Sequence, residues 1–225
     1  MEPPAGCYEI RCCENPSCGF RYPAPANHPR KNWCPACRGE THLVRTLAPA
    51  EQPNSHPVSK PVRIVAALLD NLRSTLNVGS IFRTADGAGI TRLALCGITP
   101  TPENPKLAKT SLGAELRVPW DYHRSAIAAA DALRSQGCLL IALETGERSQ
   151  PLYETALDRF NGRPLALVAG NEITGIDPDL LARCDIQLAL PMRGSKASLN
   201  VAVAFGAAAY YLTSAPVVDE PSADG

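Results

Sequence analysis

Three short blocks of the sequence hold the side chains best able to do chemistry: a guanidinium, a carboxylate, a hydroxyl and several amides. They run from Asn77 to Thr84, from Gly170 to Gly175 and from Leu190 to Val201. Each block lies at the mouth of an apolar strand or at the start of a helix, where α/β proteins build their sites. Because the blocks lie far apart along the chain, a common site requires loops that converge in the fold.

Short apolar strands alternate with helices around these blocks. Strands are predicted at residues 63–69, 92–96, 138–144, 165–169 and 186–190, and helices at residues 78–88, 125–135, 178–183 and 199–212. This alternation predicts an α/β fold with a mainly parallel sheet and helices on both faces. Ser198 can cap the last helix, and Gly87 or Gly89 can end the first.

Length and charge limit the classes of protein that this chain can represent. Its 225 residues are 45% apolar, which suits one buried α/β domain with a small appendage. With 22 basic and 22 acidic side chains, any nucleic-acid site must be a local patch. No apolar stretch approaches the ~20 residues of a membrane span, and the N-terminus does not resemble a secretory signal, so we predict a cytoplasmic protein.

Composition divides the chain into four segments. Residues 1–46 are rich in Cys and Arg and show no helical period, and residues 47–61 carry prolines among small polar residues. The second stretch predicts an extended linker that cannot form a core. Residues 62–213 hold the α/β pattern, and the small, polar and acidic residues 214–225 predict a disordered tail.

Six of the nine cysteines fall in the first 37 residues. In a reducing compartment, metal binding outranks disulfides as their explanation. The predicted ligands form two pairs on turns, in the pattern of a zinc ribbon: Cys13, Cys18, Cys34 and Cys37. Cys12 could replace Cys13, and Cys7 or His28 could be a further ligand. A ribbon of about 40 residues depends on its metal for folding.

Basic and aromatic side chains are interleaved in the ribbon segment. The predicted surface of the ribbon carries the basic residues Arg11, Arg21, Arg30, Lys31, Arg38 and Arg45, with the aromatic residues Phe20, Tyr22 and Trp33 among them. This mixture suits phosphate contact and base stacking, so the ribbon is predicted to grip RNA. Alternatively, Phe20 and Trp33 form a small core of the ribbon.

The three blocks, in their order and spacing, resemble the three motifs of the SpoU/TrmH family of RNA 2′-O-ribose methyltransferases, in the SPOUT superfamily. The likeness runs from about Val62 to about Leu212. It implies a C-terminal trefoil knot that binds S-adenosylmethionine through the loops of the second and third blocks. The implied cofactor residues are Gly170, Gly175, Leu190, Pro191, Met192, Ser198 and Leu199. A Rossmann dinucleotide site is poorly supported, because no Gly-x-Gly-x-x-Gly motif follows a strand.

The same resemblance implies a catalytic group of Arg83, Asn77, Glu172, Ser198 and Asn200. Methyl transfer to a ribose hydroxyl requires alignment of the nucleophile and removal of its proton. Arg83 is either the proton acceptor or a cation that orients RNA and stabilises charge. We favour the second role, since arginine stays protonated in proteins.

The predicted function is S-adenosylmethionine-dependent ribose 2′-O-methylation of structured RNA, either tRNA or rRNA, by a homodimer. One alternative is a non-catalytic RNA-binding protein that keeps the knot and the ribbon. Methylation of a base nitrogen would need an acceptor such as Asp near the cofactor, and the block from Ser198 to Asn200 disfavours it. The apolar helix at residues 199–212 suits either a dimer interface or the protein core.

Overall fold

The computed structural model describes residues 6–48, 64–160 and 162–213. These residues fall into two compact units, one before and one after residues 49–63. Most of the predicted linker and the whole predicted tail therefore lie outside the described residues. No helix of the described residues is long and apolar enough to cross a membrane.

The first unit is a three-stranded antiparallel sheet. Its strands are β1 (Tyr8–Cys13), β2 (Arg21–Pro25) and β3 (Thr41–Leu47), in the order β2-β1-β3. In place of a large apolar core, the sheet buries an ionic cluster: Arg11 and Glu9 are each only 7% exposed and pair at 2.6 Å. Arg11 also donates to Thr41, and Lys31 donates to Glu9 at 2.6 Å. The prediction that Arg11 lies on the surface is therefore wrong.

The second unit is built on a seven-stranded sheet in which every pair of neighbours is parallel, in the order β6-β5-β4-β9-β7-β10-β8. The strands are β4 (Ile64–Asp70), β5 (Leu93–Cys96), β6 (Trp120–His123), β7 (Leu139–Leu143), β8 (Gln150–Pro151), β9 (Leu165–Ala169) and β10 (Ile186–Ala189). The chain adds β5 and β6 on one side of β4 and later places β9 and β7 on the other. The direction of strand addition thus reverses at β4, which is where open α/β sheets form ligand sites.

Helices cover both faces of this sheet. They are α1 (Thr75–Ala88), α2 (Pro105–Ser111), α3 (Ala126–Ser135), α4 (Pro178–Leu181) and α5 (Val201–Thr213), with short 3-10 turns at Ala114–Leu116, Leu152–Glu154 and Leu157–Phe160. Apolar residues of α1 and α5 pack on one face, and those of α3 and α4 pack on the other. The predicted α/β fold with two covered faces is confirmed.

The structure tests three predictions about where α1 and α5 begin or end. Gly89, with φ of 75°, ends α1, while Gly87 lies inside it. α1 begins at Thr75, three residues before the predicted start, and Ser74 caps it by accepting the Asn77 N–H at 3.3 Å. The prediction that Ser198 caps α5 is wrong, because Asn200 accepts the N–H groups of Ala202 and Val203.

Candidate active site and metal centre

A cavity of about 370 Å³ opens at the carboxyl edge of the parallel sheet. Its walls come from residues 143–145 at the end of β7, residues 170–175 after β9, and a segment between Ala189 and Ala204. Apolar side chains such as Leu143, Leu190 and Met192 alternate with polar groups along these walls. This volume and mixture are typical of a site for a small organic molecule.

The turn at residues 170–175 is fixed by its own backbone. Asn171 and Gly175 exchange two N–H···O bonds of 3.0 and 2.9 Å, and the Asn171 side chain accepts the N–H groups of Ile173 and Thr174. A Cβ on Gly170 would lie 2.3 Å from the Ile176 nitrogen, so no side chain fits there. Gly170 is therefore required by the packing of the protein's own backbone.

Gly175 has φ of 73°, and a Cβ on it would lie 2.4 Å from a Glu144 carboxylate oxygen. That carboxylate accepts the N–H of Ile176 at 2.9 Å and that of Thr145 at 3.0 Å. Glu144 thus connects the loop after β7 to the loop after β9. Sequence reasoning missed Glu144 as a site residue, although it directly follows a strand whose carboxyl end lies at this edge.

Glu172 holds the first and second blocks together. Its carboxylate accepts the backbone N–H groups of Arg73 and Ser74, at 3.0 and 3.1 Å, and the side-chain amide of Asn77 at 2.9 Å. These donors lie at the amino end of α1, where the helix dipole also favours a negative charge. Glu172 therefore does not cap its own turn, a role that Asn171 fills.

Hydrogen bonding keeps Glu172 ionised. Partial burial raises the pKa of its carboxyl group, but the N–H of Arg73, the Asn77 amide and the N–H of Ser74 outweigh burial and lower the pKa below its ordinary value. An ionised carboxylate accepts hydrogen bonds and donates none. Glu172 accordingly fixes the Asn77 amide with its nitrogen toward the carboxylate.

The third block joins the same network through Asn200. Its side-chain nitrogen donates to the Asn77 oxygen at 3.0 Å, and its own oxygen accepts from the first turn of α5. A continuous chain of hydrogen bonds thus runs from Glu172 through Asn77 to Asn200. The structure brings one residue from each of the three blocks into direct contact.

Arg83 stands apart from this network. It is exposed on α1, about 9 Å along the helix axis from Asn77 at 1.5 Å per residue. Within the described part of the chain, its side chain has no hydrogen bond or ion pair, and it does not line the cavity. No described residue therefore occupies the hydrogen-bond donors of this guanidinium.

Most of the other predicted site residues lie at the cavity. Those in its walls are Gly170, Gly175, Leu190, Met192, Ser198 and Leu199, together with Glu172 and Asn200. Pro191 falls between two lining residues without lining the cavity itself. Asn77 reaches the site only through its hydrogen bonds to Glu172 and Asn200.

Four cysteine side chains converge in the first unit. The sulfur atoms of Cys13, Cys18, Cys34 and Cys37 all lie within 4.8 Å of one another, with contacts of 3.4 and 3.8 Å. A tetrahedral Zn²⁺ with ~2.3 Å bonds to sulfur requires sulfurs about 3.8 Å apart. The Gly39 N–H donates to the Cys37 sulfur, as expected of a metal-binding turn. The four residues therefore fit a zinc ion.

Cys12 does not join this cluster. Successive side chains of a strand point to opposite faces, so β1 can direct only one of Cys12 and Cys13 toward the other sulfurs. Cys12 instead lies within 3.7 and 3.9 Å of the carbonyl oxygens of Cys13 and Gly19. Cys7 and His28 are also outside the four-sulfur group.

The fold and the cavity define a parallel α/β protein with a ligand site at the carboxyl edge of its sheet. The family model described as the SpoU rRNA Methylase family matches residues 64–210, which is more than half of the chain. The chain therefore belongs to the SpoU rRNA methylase family. The first unit, with its cysteine cluster, lies outside the matched range.

Relatives and solved structures agree with this membership. The chain is 31% identical over 147 residues to the 23S rRNA (guanosine(2553)-2′-O)-methyltransferase RlmP of Bacillus subtilis, covering 64% of this chain and 56% of that protein. It thus spans little more than half the length of this curated relative. A structure reported for 2-OH methylation of C/U34 on tRNA is 32% identical, with a TM-score of 0.57, and the match covers 67% of this chain and 94% of that one.

A third similar protein was solved with its cofactor bound. The SpoU methyltransferase AviRb from Streptomyces viridochromogenes, solved in complex with AdoMet, is 26% identical with a TM-score of 0.59. The match covers 79% of this chain and 69% of that chain.

Proposed function

We propose that this protein transfers a methyl group from S-adenosylmethionine to a ribose 2′-hydroxyl of structured RNA, either rRNA or tRNA. The observation that carries the proposal is the hydrogen-bonded chain of Glu172, Asn77 and Asn200 beside the cavity. The names of the relatives support this choice of reaction. A non-catalytic RNA-binding protein would have no need of this network.

The cavity suits S-adenosylmethionine in its size and in the chemistry of its walls. Leu143, Leu190, Met192 and Leu199 supply apolar surface for an adenine, and the turn at residues 170–175 supplies backbone groups. When bound, the cofactor supplies an electrophilic methyl group on a sulfonium. We propose that these loops form the trefoil knot that the family resemblance implies.

The residues of this chain would align the nucleophile, whose proton would pass to solvent water as the methyl group is transferred. Glu172 is held ionised by its donors and fixes Asn77, which in turn fixes Asn200 at the cavity wall. Ser198 is exposed at the same wall and can hydrogen-bond the ribose. A rigid array of this kind reduces the entropy lost on reaching the reactive geometry.

In this proposal Arg83 acts on RNA. An exposed, always protonated guanidinium with no partner among the described residues suits a bidentate contact to a phosphate of the RNA. Arg83→Lys keeps the charge but removes the planar pair of donors. We expect methyl transfer to fall at least tenfold with an unchanged pH profile; retained activity with a shifted basic limb would favour the proton-acceptor role.

We also propose a homodimer formed through α5. This helix buries Phe205, Ala208 and Leu212 in the core, yet leaves Val203 58% and Tyr210 55% exposed. An apolar stripe on a helix that already packs inward suits a second chain. Val203→Glu should therefore produce a monomer in sedimentation, and an unchanged mass would contradict the interface.

We also propose that the four cysteines bind zinc and that the protein acts in the cytoplasm.

The decisive test of the activity uses labelled methyl donor and separate rRNA and tRNA fractions. Methyl on a 2′-oxygen blocks alkaline cleavage of the next phosphodiester, so the label should appear in alkali-stable dinucleotides. Label found only on bases, or in no RNA fraction, would contradict the proposed function.

A further inference from the structure

A second cavity, which we call the ribbon groove, lies on the first unit next to the metal cluster. Its volume is about 860 Å³, larger than that of the cavity at the sheet edge. Tyr22, Trp33 and prolines including Pro25 form its apolar walls, and Cys34 lies among them. The proposed methyl transfer uses none of these residues.

The charge of the ribbon groove has a single sign. Arg30, Lys31 and Arg38 line it, and no carboxylate does. Because the whole chain has no net charge, this is a local concentration of positive charge. Such a concentration suits a polyanion.

The two arginines are the cations available to a ligand. The Lys31 ammonium is engaged by the Glu9 carboxylate at 2.6 Å and the Ala26 carbonyl at 2.5 Å. Arg30 and Arg38 are both exposed, and within the described residues neither side chain has a hydrogen bond or ion pair. Of the basic residues in this groove, Arg30 and Arg38 are therefore the ones available to bind RNA.

Trp33 combines a fixed backbone with an exposed ring. Its carbonyl accepts the Tyr22 hydroxyl at 3.0 Å, its N–H donates to the backbone carbonyl of Arg30, and its backbone forms a β-bridge to Glu40. The indole is nevertheless 56% exposed, so Trp33 is not a core residue of the ribbon. An exposed aromatic ring on a hydrogen-bonded backbone, in a groove that Arg30 and Arg38 also line, is a platform for stacking a base.

We propose that the ribbon groove binds a single-stranded segment of RNA, with a base stacked on Trp33 and flanking phosphates on Arg30 and Arg38. The segment must be single-stranded because the face of a base is free only outside a duplex. This inference rests on the proposed function insofar as RNA is the substrate. It assigns to the first unit a contact separate from the methyl-transfer site.

Binding of a fluorescein-labelled single-stranded RNA to the full-length, zinc-loaded protein tests the stacking contact. Trp33→Ala should weaken binding by about 5- to 150-fold, the range of base–aromatic stacking, while Trp33→Phe should keep most of the affinity. Tyr8→Ala is the matched control, since Tyr8 is 48% exposed on the same unit but does not line the ribbon groove. Zinc content and circular dichroism confirm that each variant is folded.

Salt dependence tests the phosphate contacts. The double variant Arg30→Gln and Arg38→Gln should reduce the slope of log affinity against log salt by about 1.4, at about 0.7 for each phosphate of a single strand. Arg21→Gln with Arg45→Gln removes the same charge from exposed positions outside the ribbon groove and should leave the slope unchanged. An equal fall in both double variants would overturn the assignment.

Other outcomes also reject the proposal. Unchanged RNA affinity of Trp33→Ala would do so. A dimer that dissociates in this variant would also do so, because it would show that a second copy of the chain occupies the ribbon groove. Because binding is measured without methyl transfer, the two proposals fail separately. If wild type methylates RNA but Trp33→Ala binds it normally, only the ribbon-groove inference is lost; Trp33-dependent binding without methylation would reject only the enzyme.

Discussion

Substitution of Gly170 by alanine should damage the proposed cofactor site through the backbone alone. The new Cβ would lie 2.3 Å from the Ile176 nitrogen and 2.4 Å from the Gly175 carbonyl carbon. Neither atom belongs to a flexible side chain, so the turn at residues 170–175 must open. Opening weakens the two bonds between Asn171 and Gly175 and displaces Ile176 from Glu144.

The expected cost follows from these contacts. Overpacking of a well-packed site costs about 1–3 kcal/mol, and each weakened hydrogen bond adds up to about 1 kcal/mol. We therefore expect Gly170→Ala to lower the free energy of unfolding by about 2–4 kcal/mol. We also expect weaker binding of S-adenosylmethionine, because the displaced turn forms one wall of the cavity.

Urea unfolding followed by tryptophan fluorescence measures this change. A Trp33→Phe background leaves Trp120, on β6, as the reporter for the second unit. The matched control is Gly194→Ala, since a Cβ at Gly194 meets nothing within 4 Å. This control should stay within about 0.5 kcal/mol of wild type. Equal stability and cofactor affinity of both variants would refute the reasoning about the turn.

Three further perturbations test the network and the ribbon. Glu172→Gln should abolish most methyl transfer. Its free energy of unfolding, measured by urea titrations, should be lower than that of wild type by a constant amount above about pH 5, the upper side of an ordinary carboxyl pKa. This difference should disappear as the pH falls through the lowered pKa of Glu172 in the folded state. Cys13→Ser should release zinc while Cys12→Ser retains it, as counted by elemental analysis of the purified proteins, and equal zinc contents would contradict the ligand set. Glu9→Gln should destabilise the first unit by about 3 kcal/mol, because the buried Arg11 loses its charged partner; thermal unfolding that matches wild type would contradict this.

Local elements were predictable where a single physical signal fixed them. The apolar run from Leu165 to Ala169 is bounded by Pro164 and Gly170, and the strand occupies these residues as predicted. Ser125 likewise starts α3 as an N-cap. In each case the deciding residues are neighbours in the sequence.

Long-range arrangements were not predictable in this way. Nothing near β9 indicates that it enters the sheet between β4 and β7, because that choice depends on the packing of the whole domain. Glu172 accepts N–H groups about 98 residues away, at Arg73 and Ser74, and no local pattern encodes such a contact. The motifs identified which polar residues converge, but not which hydrogen bonds join them.

The ribbon illustrates the same limit for charged residues. Arg11 and Lys31 read as surface cations in the sequence, yet the antiparallel sheet buries Arg11 against Glu9 and draws Lys31 to the same carboxylate. Their environment depends on strand register, which the irregular cysteine-rich sequence does not reveal.

Calorimetric titration of S-adenosylmethionine tests most directly whether the cavity at the sheet edge is the cofactor site. Thr145 is exposed and lines the cavity, whereas Arg148 is exposed nearby and does not. We predict that wild type and Arg148→Trp bind one cofactor per chain with similar affinity, and that Thr145→Trp, which fills the cavity, does not bind. Equal affinity in all three proteins would place the cofactor elsewhere and contradict the proposed mechanism.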